Sequence, residues 1–401
     1  MVDSAPVVVV GAGLAGLRCA QVLGDHGVEV VVLERADHVG GRLHSFSVDG
    51  YRIDQGFQLV NPAYPEIVAT GALTGFDLRP FPRAVVVRRD GRSLVLADPL
   101  RHPGAVVAAT RLAPPASWAR LALGLARLRV APARRVVAGL DTTTAEGLRR
   151  AGLDDRMVAN VVRPFLRGVL LEDPLDTSWA FTRLLAKSFT RGRPSTHPEG
   201  IEALARALAA RSGAELRLGT RVTGVSARAV TTEDATVAAR AVVVATDAHD
   251  ASALLGTSGV NWRRQFTWWW STPRVDAPGR LRLDLDDPLT TSALDFAAVA
   301  PERAPRGRSL VASPSIEGTA ADTGRVRERV ARLYGLASAD VELVTTTEVA
   351  RALPRVGPPL VSVRPNVVDG VVLAGDHLTT SSIQGALVSG RRAAATVLAQ
   401  L

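Results

Sequence analysis

Three glycines near the start of the chain have the spacing of a loop that binds nucleotide phosphates. Gly11, Gly13 and Gly16 form a G-x-G-x-x-G pattern directly after an apolar run. In this pattern the glycines permit a tight turn, close approach of the backbone to a pyrophosphate, and close packing of a helix on a strand. Glu34 follows where a carboxylate accepts hydrogen bonds from the ribose hydroxyls of an adenosine. These residues predict a dinucleotide site.

The elements that must position this loop form one βαβ unit. Val7–Val10 is a short β-branched run, as in a buried parallel strand. Helical spacing over Leu17–Gly24 follows, and Gly27–Leu33 is a second apolar strand. The N-terminus of the helix, at Leu14 and Ala15, would offer free N–H groups and the positive end of its dipole to phosphates. The alternative is a glycine-rich turn in an ordinary α/β protein.

The composition limits the class of protein. A chain of 401 residues can bury a large core, and one to three domains are expected. No run of about 18 uncharged apolar residues is present, so we expect no spanning helix. No basic stretch precedes the first apolar run, so we expect no signal peptide. Cys19 is the only cysteine, which excludes intrachain disulfides and favours a reducing compartment, the cytoplasm.

The positive charge has a compositional origin. The formal net charge is +9, and Lys187 is the only lysine among 48 basic residues. This arginine usage, with abundant Ala, Val and Gly, indicates a bias toward GC-rich codons. The arginines are scattered, without a basic run interleaved with aromatics, so we expect no nucleic-acid partner. The sequence also shows no metal-ligand spacing, Walker loop or Ser-His-Asp order, so no metal site is predicted.

A second glycine pair follows the ribose-binding acid. Arg35 and then Gly40-Gly41-Arg42 suit further phosphate recognition, because a guanidinium can donate two parallel hydrogen bonds. A short strand, Tyr51–Ile53, leads into Asp54-Gln55-Gly56-Phe57-Gln58. Together these motifs resemble the flavoprotein superfamily of amine oxidases, protoporphyrinogen oxidases and phytoene desaturases.

This resemblance implies the cofactor FAD and an α/β fold. A Rossmann-type, glutathione-reductase-like FAD-binding domain would carry an interleaved α+β substrate domain. The expected FAD-binding segments are 1–80, 215–256 and 355–401. The expected substrate-binding segments are 81–214 and 257–354, with a helical part at about 100–195. In this family the second glycine stretch, with Gly41 and Arg42, lies against FAD. The segment of Gly56, Phe57 and Gln58 approaches the isoalloxazine, which makes Gln58 a candidate catalytic residue.

Two later stretches complete the FAD site that the resemblance implies. Val222 would lie near the adenine, and Ala245 beside the dinucleotide. The apolar strand Val371–Asp376 ends in Gly375-Asp376, whose carboxylate would accept a hydrogen bond from the ribityl chain. The final helix opens directly afterwards, and its dipole would stabilise negative charge on the flavin. The implied contacts at this helix are Ile383, Gln384, Gly385 and Ala386. Desaturases usually carry glutamate in place of Gln384.

The substrate side carries fewer signals. Amine oxidases of the superfamily place an aromatic residue just before the final Gly-Ala, where this chain has Thr379-Thr380-Ser381-Ser382. His377 is the one titratable group expected near the ring, as a base or to orient substrate; the alternative is a bond to local backbone. Trp268 and Trp270 share one face of a strand and would line an apolar pocket, with core packing as the alternative. Lys187 is expected at the surface.

These features predict a FAD-dependent oxidoreductase that removes a hydride from carbon of a bulky, mainly apolar substrate. Desaturases and porphyrinogen oxidases work in this way, with little acid–base help. The alternative is a flavin amine oxidase that oxidises a C–N bond with oxygen as acceptor. A lesser alternative is a FAD-binding protein without turnover. The electron acceptor and the oligomeric state stay open.

Residues 117–135 predict a basic amphipathic helix. Ser117 is the expected N-cap, and Arg120, Arg127 and Arg134 recur every seven residues. Such a helix can lie on an anionic membrane surface, which would make the protein peripheral to the membrane. The interpretation that we favour is a helix packed on its own domain.

Overall fold

A computed structural model describes residues 5–98, 102–275, 279–361 and 366–401. Its strands, in chain order, are β1 Val7–Val10, β2 Val30–Leu33, β3 Ser45–Val48, β4 Tyr51–Asp54, β5 Arg79–Pro80, β6 Val85–Arg89, β7 Arg92–Leu96, β8 Ser195–Thr196, β9 Glu215–Arg217, β10 Val222–Ser226, β11 Ala229–Thr232, β12 Thr236–Ala238, β13 Ala241–Val244, β14 Trp262–Pro273, β15 Leu281–Asp284, β16 Leu294–Asp295, β17 Arg308–Ser315, β18 Glu342–Pro354, β19 Val367–Val368 and β20 Val371–Leu373.

The α-helices are α1 Leu14–Asp25, α2 Pro65–Thr70, α3 Gly104–Leu112, α4 Pro115–Val130, α5 Ala133–Val136, α6 Thr144–Arg150, α7 Asp155–Met157, α8 Arg163–Leu170, α9 Trp179–Arg191, α10 Glu202–Ser212, α11 Ala248–Leu255, α12 Thr323–Tyr334 and α13 Ile383–Leu398. A π-helical stretch, Val158–Val162, joins α7 to α8. None of these helices is long and apolar enough to cross a lipid bilayer.

The first sheet is the expected α/β core. Its order is β19-β20-β13-β1-β2-β9, and all its pairs are parallel except β19 with β20. Along β1, Val7 and Val9 face the cluster formed with α1, α10 and α13, whereas Val8 and Val10 face β10–β12. Because both faces are covered, these strands are continuous apolar runs rather than alternating ones.

This sheet gathers strands from three separate parts of the chain, 7–33, 215–244 and 367–373. The segment boundaries of the two domains stay a prediction. One helix lies elsewhere than its predicted segment suggests. The prediction assigns α10 to the substrate segment 81–214, yet Leu204 and Leu208 of this helix pack in the core beneath the first sheet, against α1.

A second, antiparallel sheet has the order β16-β17-β14-β18. One of its faces packs on α12 and the other on Tyr51, Ile53 and Phe296. A third sheet, β15-β6-β7, packs on α3. Strands β6 and β7 form a hairpin, and both residues of its turn, Asp90 and Gly91, have positive φ as a two-residue hairpin requires.

The helical stretch between β7 and β8 differs in detail from the prediction for 117–135. Helix α4 begins at Pro115 and ends at Val130, and α5 follows as a separate turn. Its N-cap is Pro114, so the prediction of Ser117 as the N-cap is wrong. The Ser117 hydroxyl instead donates to the carboxylate of Asp154, which joins α4 to the start of α7.

Candidate active site

The three glycines of the phosphate loop have three different physical roles. Gly11 has φ +104°, and a Cβ there would lie 3.0 Å from the carbonyl oxygen of Ala245. A Cβ at Gly16 would lie 2.0 Å from the carbonyl oxygen of Gly11, so only glycine allows α1 to sit this close to the turn. A Cβ at Gly13 would meet no atom within 4 Å. Gly13 therefore presents bare backbone to open space, as close approach of a pyrophosphate requires.

Glu34 anchors this loop at the carboxyl end of β2. One carboxylate oxygen accepts a hydrogen bond from the Ala12 N–H at 2.7 Å, and the other accepts from the Ala36 N–H at 2.9 Å. Each oxygen keeps further acceptor capacity, because an ionised carboxylate offers about four lone-pair sites. The side chain thus holds the loop in shape while it faces a large cavity.

Arg42 and Asp376 form a two-pronged ion pair across the site, although they lie 334 positions apart in the sequence. The guanidinium nitrogens donate to the two carboxylate oxygens at 2.9 and 2.7 Å, and one of them also donates to the Ala352 carbonyl at 2.8 Å. Desolvation lowers the pKa of Arg42, but the Asp376 charge and hydrogen bonds outweigh it, so the net shift is upward. Arg42 therefore stays charged beside the cavity.

The N-terminus of α13 is fixed by a network around Glu66. The Glu66 carboxylate accepts hydrogen bonds from Arg18 of α1 and Arg391 of α13. The backbone N–H of Glu66 donates to Gln384 Oε1 at 3.0 Å. Gln384 therefore joins α13 to α2 instead of facing the cavity. At the same end of the helix, the Ser381 hydroxyl oxygen is buried and has no hydrogen-bond partner among the described residues.

These groups surround a cavity of about 1020 Å³. That volume is at the upper end of the ~300–1,000 Å³ usual for small-molecule sites, which leaves room for a dinucleotide beside part of a substrate. The residues predicted from sequence that line it are Gly11, Gly13, Leu14, Ala15, Glu34, Arg35, Gly41, Arg42, Phe57, Gln58, Val222, Ala245, Gly375, Asp376, Ile383 and Ala386.

The residues present fit FAD on observations within the structure. A Cβ added at Gly13 would project into open space at the cavity, whereas a Cβ added at Gly11 or Gly16 would lie against backbone atoms. The orphaned Ser381 hydroxyl lines the same cavity, and a buried polar group without a partner costs ~1–3 kcal/mol. A ligand with polar atoms at this position would remove that cost. Bound FAD would supply a two-electron acceptor at this site.

The opposite side of the cavity is apolar. We use the term apolar side for Phe81, Phe165, Val169, Leu185, Phe189 and Leu294, contributed chiefly by α8, α9 and neighbouring loops. The polar residues close to them are already bonded: the Asn61 amide donates to the Ser188 carbonyl at 2.9 Å, and the Thr291 hydroxyl donates to the Pro314 carbonyl at 3.3 Å. This side therefore offers a surface for hydrocarbon rather than for charge.

Every carboxylate among the described residues that line the cavity already has a partner. Glu34 holds two backbone N–H groups and Asp376 holds Arg42. The remaining ion pairs are Asp247 with Arg351 at 3.1 Å, Asp250 with Arg35 at 2.8 Å, and Glu348 with Arg264 at 3.1 Å. A cationic amine would have to compete with these partners.

Three predicted functional residues lie away from the cavity walls. Trp268 and Trp270 are fully buried against α12, together with Val326 and Val330, so the prediction that they line the substrate pocket is wrong. The face of β14 that they occupy is covered by a helix, which makes it core. His377 does not line the cavity either, because its ring lies against Gly375, where a Cβ would be 2.5 Å from Nδ1 and Cε1.

Besides Gln384, three predicted cofactor contacts lie behind the cavity wall. Gly16 serves the close packing of α1 on the turn at Gly11. Gly56 sits beneath the Gln265 side chain, whose Oε1 would be 3.0 Å from an added Cβ. Gly385 packs on the Thr380 carbonyl, 1.8 Å from the position of a Cβ, and therefore fixes the loop before α13. Gln58 does line the cavity, and its amide donates to the Arg42 carbonyl at 2.7 Å.

The prediction that Lys187 lies at the surface is wrong. Its side chain is buried, and Nζ donates to the carbonyls of Leu128, Arg129 and Ala131 at 2.9, 3.1 and 2.6 Å. These carbonyls at the C-terminus of α4 lack intrahelical partners, and a cation satisfies them while complementing the helix dipole. Desolvation is the main cause of the lowered pKa of Lys187. The only lysine of the chain is thus committed to capping a helix.

Sequence reasoning missed two histidines at the cavity. His38 and His44 flank the Gly40-Gly41-Arg42 turn, and their rings lie 3.6 Å apart between centroids. His44 Nδ1 lies 2.7 Å from a carboxylate oxygen of Glu202. Their position beside the second glycine motif was the available signal, because a short turn carries its flanking side chains to the same wall.

Comparison with known proteins agrees with this site. The sequence profile of flavin-containing amine oxidoreductases matches residues 14–398. The chain belongs to that family. The family confirms FAD as the cofactor, the Rossmann-type architecture and the assignment as an oxidoreductase.

Individual relatives match this chain over short stretches. The putrescine oxidase of Kocuria rosea is 42% identical over 97 residues, which are 24% of this chain and 19% of that enzyme. A 1-hydroxycarotenoid 3,4-desaturase of a Flavobacterium species is 43% identical over 49 residues, 12% of this chain and 10% of that enzyme. The chain thus aligns with less than a fifth of either relative's length.

Solved structures extend the likeness to the whole chain. An oxidoreductase from Methanosarcina mazei superposes with a TM-score of 0.73 at 15% identity, covering 96% of this chain and 99% of that one. At this identity the likeness demonstrates the fold, whereas the reaction must be argued from the site.

Proposed function

We propose that this flavin oxidoreductase dehydrogenates a bulky, mainly apolar molecule by hydride transfer from carbon to the flavin. The observation that carries the proposal is the combination at the cavity of an apolar side with carboxylates that are all paired. Burial of apolar area stabilises a complex by about 25 cal/mol per Å², so a large hydrocarbon can bind without a charged anchor. An ammonium group would instead be desolvated without a free carboxylate to receive it.

The proposed roles of the residues follow from their positions. Gly13, Leu14 and Ala15 would hold the pyrophosphate of FAD at the N-terminus of α1, and Glu34 would hold the adenosine ribose. Arg42, fixed by Asp376, would keep positive charge beside the phosphates. The N-terminus of α13 would stabilise negative charge on the flavin. Gln58 is proposed as the polar group that positions the reacting parts, since it lines the cavity.

Oxidation of a C–N bond is the second candidate function. It is favoured by the stretch of 42% identity to the putrescine oxidase of Kocuria rosea. Against it stand the paired carboxylates and the absence of aromatic residues from Thr379–Ser382. Lys187 gives it no support, because this side chain caps α4 and does not line the cavity.

An anaerobic rapid-mixing screen separates the two candidates. The FAD-loaded protein is mixed with polyamines, aryl amines, a porphyrinogen and isoprenoids in detergent, and bleaching of the flavin absorbance is followed. We expect an isoprenoid or a porphyrinogen to reduce the flavin fastest. A simple amine that reduces it faster would overturn the proposal in favour of amine oxidation.

A matched pair of variants connects that screen to the cavity. Phe189→Ala removes an aromatic ring from the apolar side, and we expect the concentration for half-maximal bleaching by the apolar substrate to rise about tenfold, as loss of ~1.5 kcal/mol of apolar contact implies. Phe76→Ala is the control, because Phe76 packs on His197 outside the cavity. Equal effects of the two substitutions would argue against the apolar side as the substrate site.

The proposed location is the cytoplasm, with peripheral contact at a membrane surface. The buried thiol of Cys19, as the only cysteine, suits a reducing compartment. Large apolar molecules partition into bilayers, so an enzyme that consumes them gains by working at the lipid surface.

A further inference from the structure

The helical stretch beside the cavity has an unusual surface composition. Within the described residues 102–140 there are six arginines and no aspartate or glutamate. Arg127, Arg134 and Arg135 form no ion pair with any residue in the described part of the chain. A charge run of one sign without internal neutralisation is expected to attract a partner of the opposite sign.

Apolar side chains are exposed on the same stretch. Along α4, Arg120, Leu123, Arg127 and Val130 follow one another at intervals of three, four and three residues, so they share one face of the helix. Leu123 is 51% exposed and Val130 is 78% exposed. We call these four residues the outer face of α4. It combines two cations with exposed hydrocarbon, and the long arginine side chains can carry their charge outward to headgroups while their stems lie along apolar surface.

Neighbouring elements extend this outer face. On α3, Val106 and Val107 are 51% and 56% exposed, and α3 is joined to α4 by a hydrogen bond from the Trp118 indole to the Ala109 carbonyl at 2.9 Å. Leu140, beyond α5, is 82% exposed. Isolated exposed leucines need no explanation, but this set belongs to the acid-free stretch.

A single helix, α9, lies between α4 and the cavity. Helix α4 packs on α9, and Lys187 of α9 donates to the end of α4. Leu185 and Phe189, on the other side of α9, line the apolar side of the cavity. The outer face of α4 is therefore one helix away from the place where the proposed substrate would bind.

We propose that the outer face of α4, with the exposed valines of α3, docks on the surface of an anionic phospholipid bilayer. The partner is chosen by charge complementarity: arginines without acids suit phosphate headgroups, and the exposed apolar side chains reach the acyl boundary. The inference rests on the proposed function in that an apolar substrate would be taken from this bilayer. Docking itself needs no substrate.

Vesicle sedimentation of the FAD-loaded full chain tests the docking directly. The vesicles consist of phosphatidylcholine with or without roughly a third of phosphatidylglycerol. We expect binding to the anionic vesicles and little to the neutral ones. The variant Arg120→Gln/Arg127→Gln removes both cations of the outer face and should lower the partition coefficient about 25-fold, because each arginine near an anionic surface contributes about fivefold. The matched control is Arg306→Gln/Arg327→Gln, which removes the same charge from exposed arginines elsewhere.

A second variant tests the apolar component. Leu123→Ser/Val130→Ser keeps the charge, and we expect it to weaken binding at low and high salt alike, because apolar burial is not screened by ions. Both variants should retain their FAD spectrum, which shows that the fold is intact.

Three results would overturn the proposal. The first is no binding to anionic vesicles, and the second is an equal loss in the control variant, which would mean attraction by net charge alone. The third is dissociation of a self-associated protein by these variants, seen in ultracentrifugation, with vesicle binding unchanged. Because no turnover is measured, failure of docking is distinguishable from an incorrect substrate class: an amine substrate in the flavin screen would leave the vesicle result as it stands.

Discussion

Glu34 offers the sharpest test of the cofactor site, because one carboxylate both shapes the phosphate loop and is proposed to hold the ribose. Its oxygens accept from the Ala12 and Ala36 N–H groups at 2.7 and 2.9 Å. In Glu34→Gln one oxygen becomes an NH₂ group, which cannot accept from a backbone N–H. The substitution also removes the negative charge, so the proposed charge-assisted hydrogen bond from a ribose hydroxyl, worth ~1.5–3 kcal/mol, is lost. At ~1.4 kcal/mol per decade, FAD affinity should fall roughly 10- to 150-fold.

The assay is a titration of the apoprotein with FAD, followed by quenching of flavin fluorescence. Glu29→Gln is the matched control, because Glu29 lies outside the cavity just before β2 and loses the same charge. We expect the control to bind FAD as the parent does. The rate of flavin bleaching by substrate, once the Glu34→Gln protein is saturated with FAD, should change little, since the carboxylate is far along the dinucleotide from the reacting end. An unchanged FAD dissociation constant in Glu34→Gln would refute the assignment of Glu34.

Three further predictions follow from the structure. Gly13→Ala should fold normally but lose FAD, because the added methyl group would project into the open cavity. Gly16→Ala should lower the melting temperature, because its Cβ would lie 2.0 Å from a backbone oxygen. Equal melting temperatures of the two variants in calorimetry would contradict this difference. Asp376→Asn should destabilise the protein by ~1–3 kcal/mol by leaving the Arg42 charge poorly paired, and denaturant titration should show partial recovery in Arg42→Met/Asp376→Asn. Burial raises the pKa of the Cys19 thiol to about 12, so at pH 8 only ~10⁻⁴ of the thiol is ionised. A thiol reagent should therefore label Cys19 only after unfolding, and rapid labelling of the native protein would contradict its burial.

The cofactor half of the site was largely predictable because its determinants are local. A turn with φ +104° needs glycine, and the strand, loop and helix that use it are contiguous between Val7 and Glu34. This short spacing lets Gly13 face the open cavity while Gly16 packs on the turn at Gly11. The later motifs at Ala245 and Asp376 were found through family resemblance, since a strand ending in a small residue is by itself an ordinary core strand.

The partners of those motif residues were not readable from the sequence. Arg42 was expected to donate to phosphate, and nothing in its neighbourhood indicates that a carboxylate 334 positions away receives its two nitrogens. Gln384 was expected at the flavin, yet its carbonyl oxygen is held by the N–H of Glu66. These pairings depend on how α2, α13 and the Gly40–Arg42 turn pack together. The local sequence of each element does not indicate that packing.

Residue types and their local order were enough to predict the α/β class and a dinucleotide-binding loop, because glycine conformations and apolar runs act over a few residues. FAD and the later cofactor contacts came from the family resemblance. The apolar side of the cavity depends on how distant elements pack. Period-two alternation placed Trp268 and Trp270 on one face of β14, but whether that face meets a cavity or a helix depends on where α12 packs. In the same way, Lys187 caps a helix because α4 ends beside it. Burial is a property of what covers a surface, and the covering element lies far away along the chain.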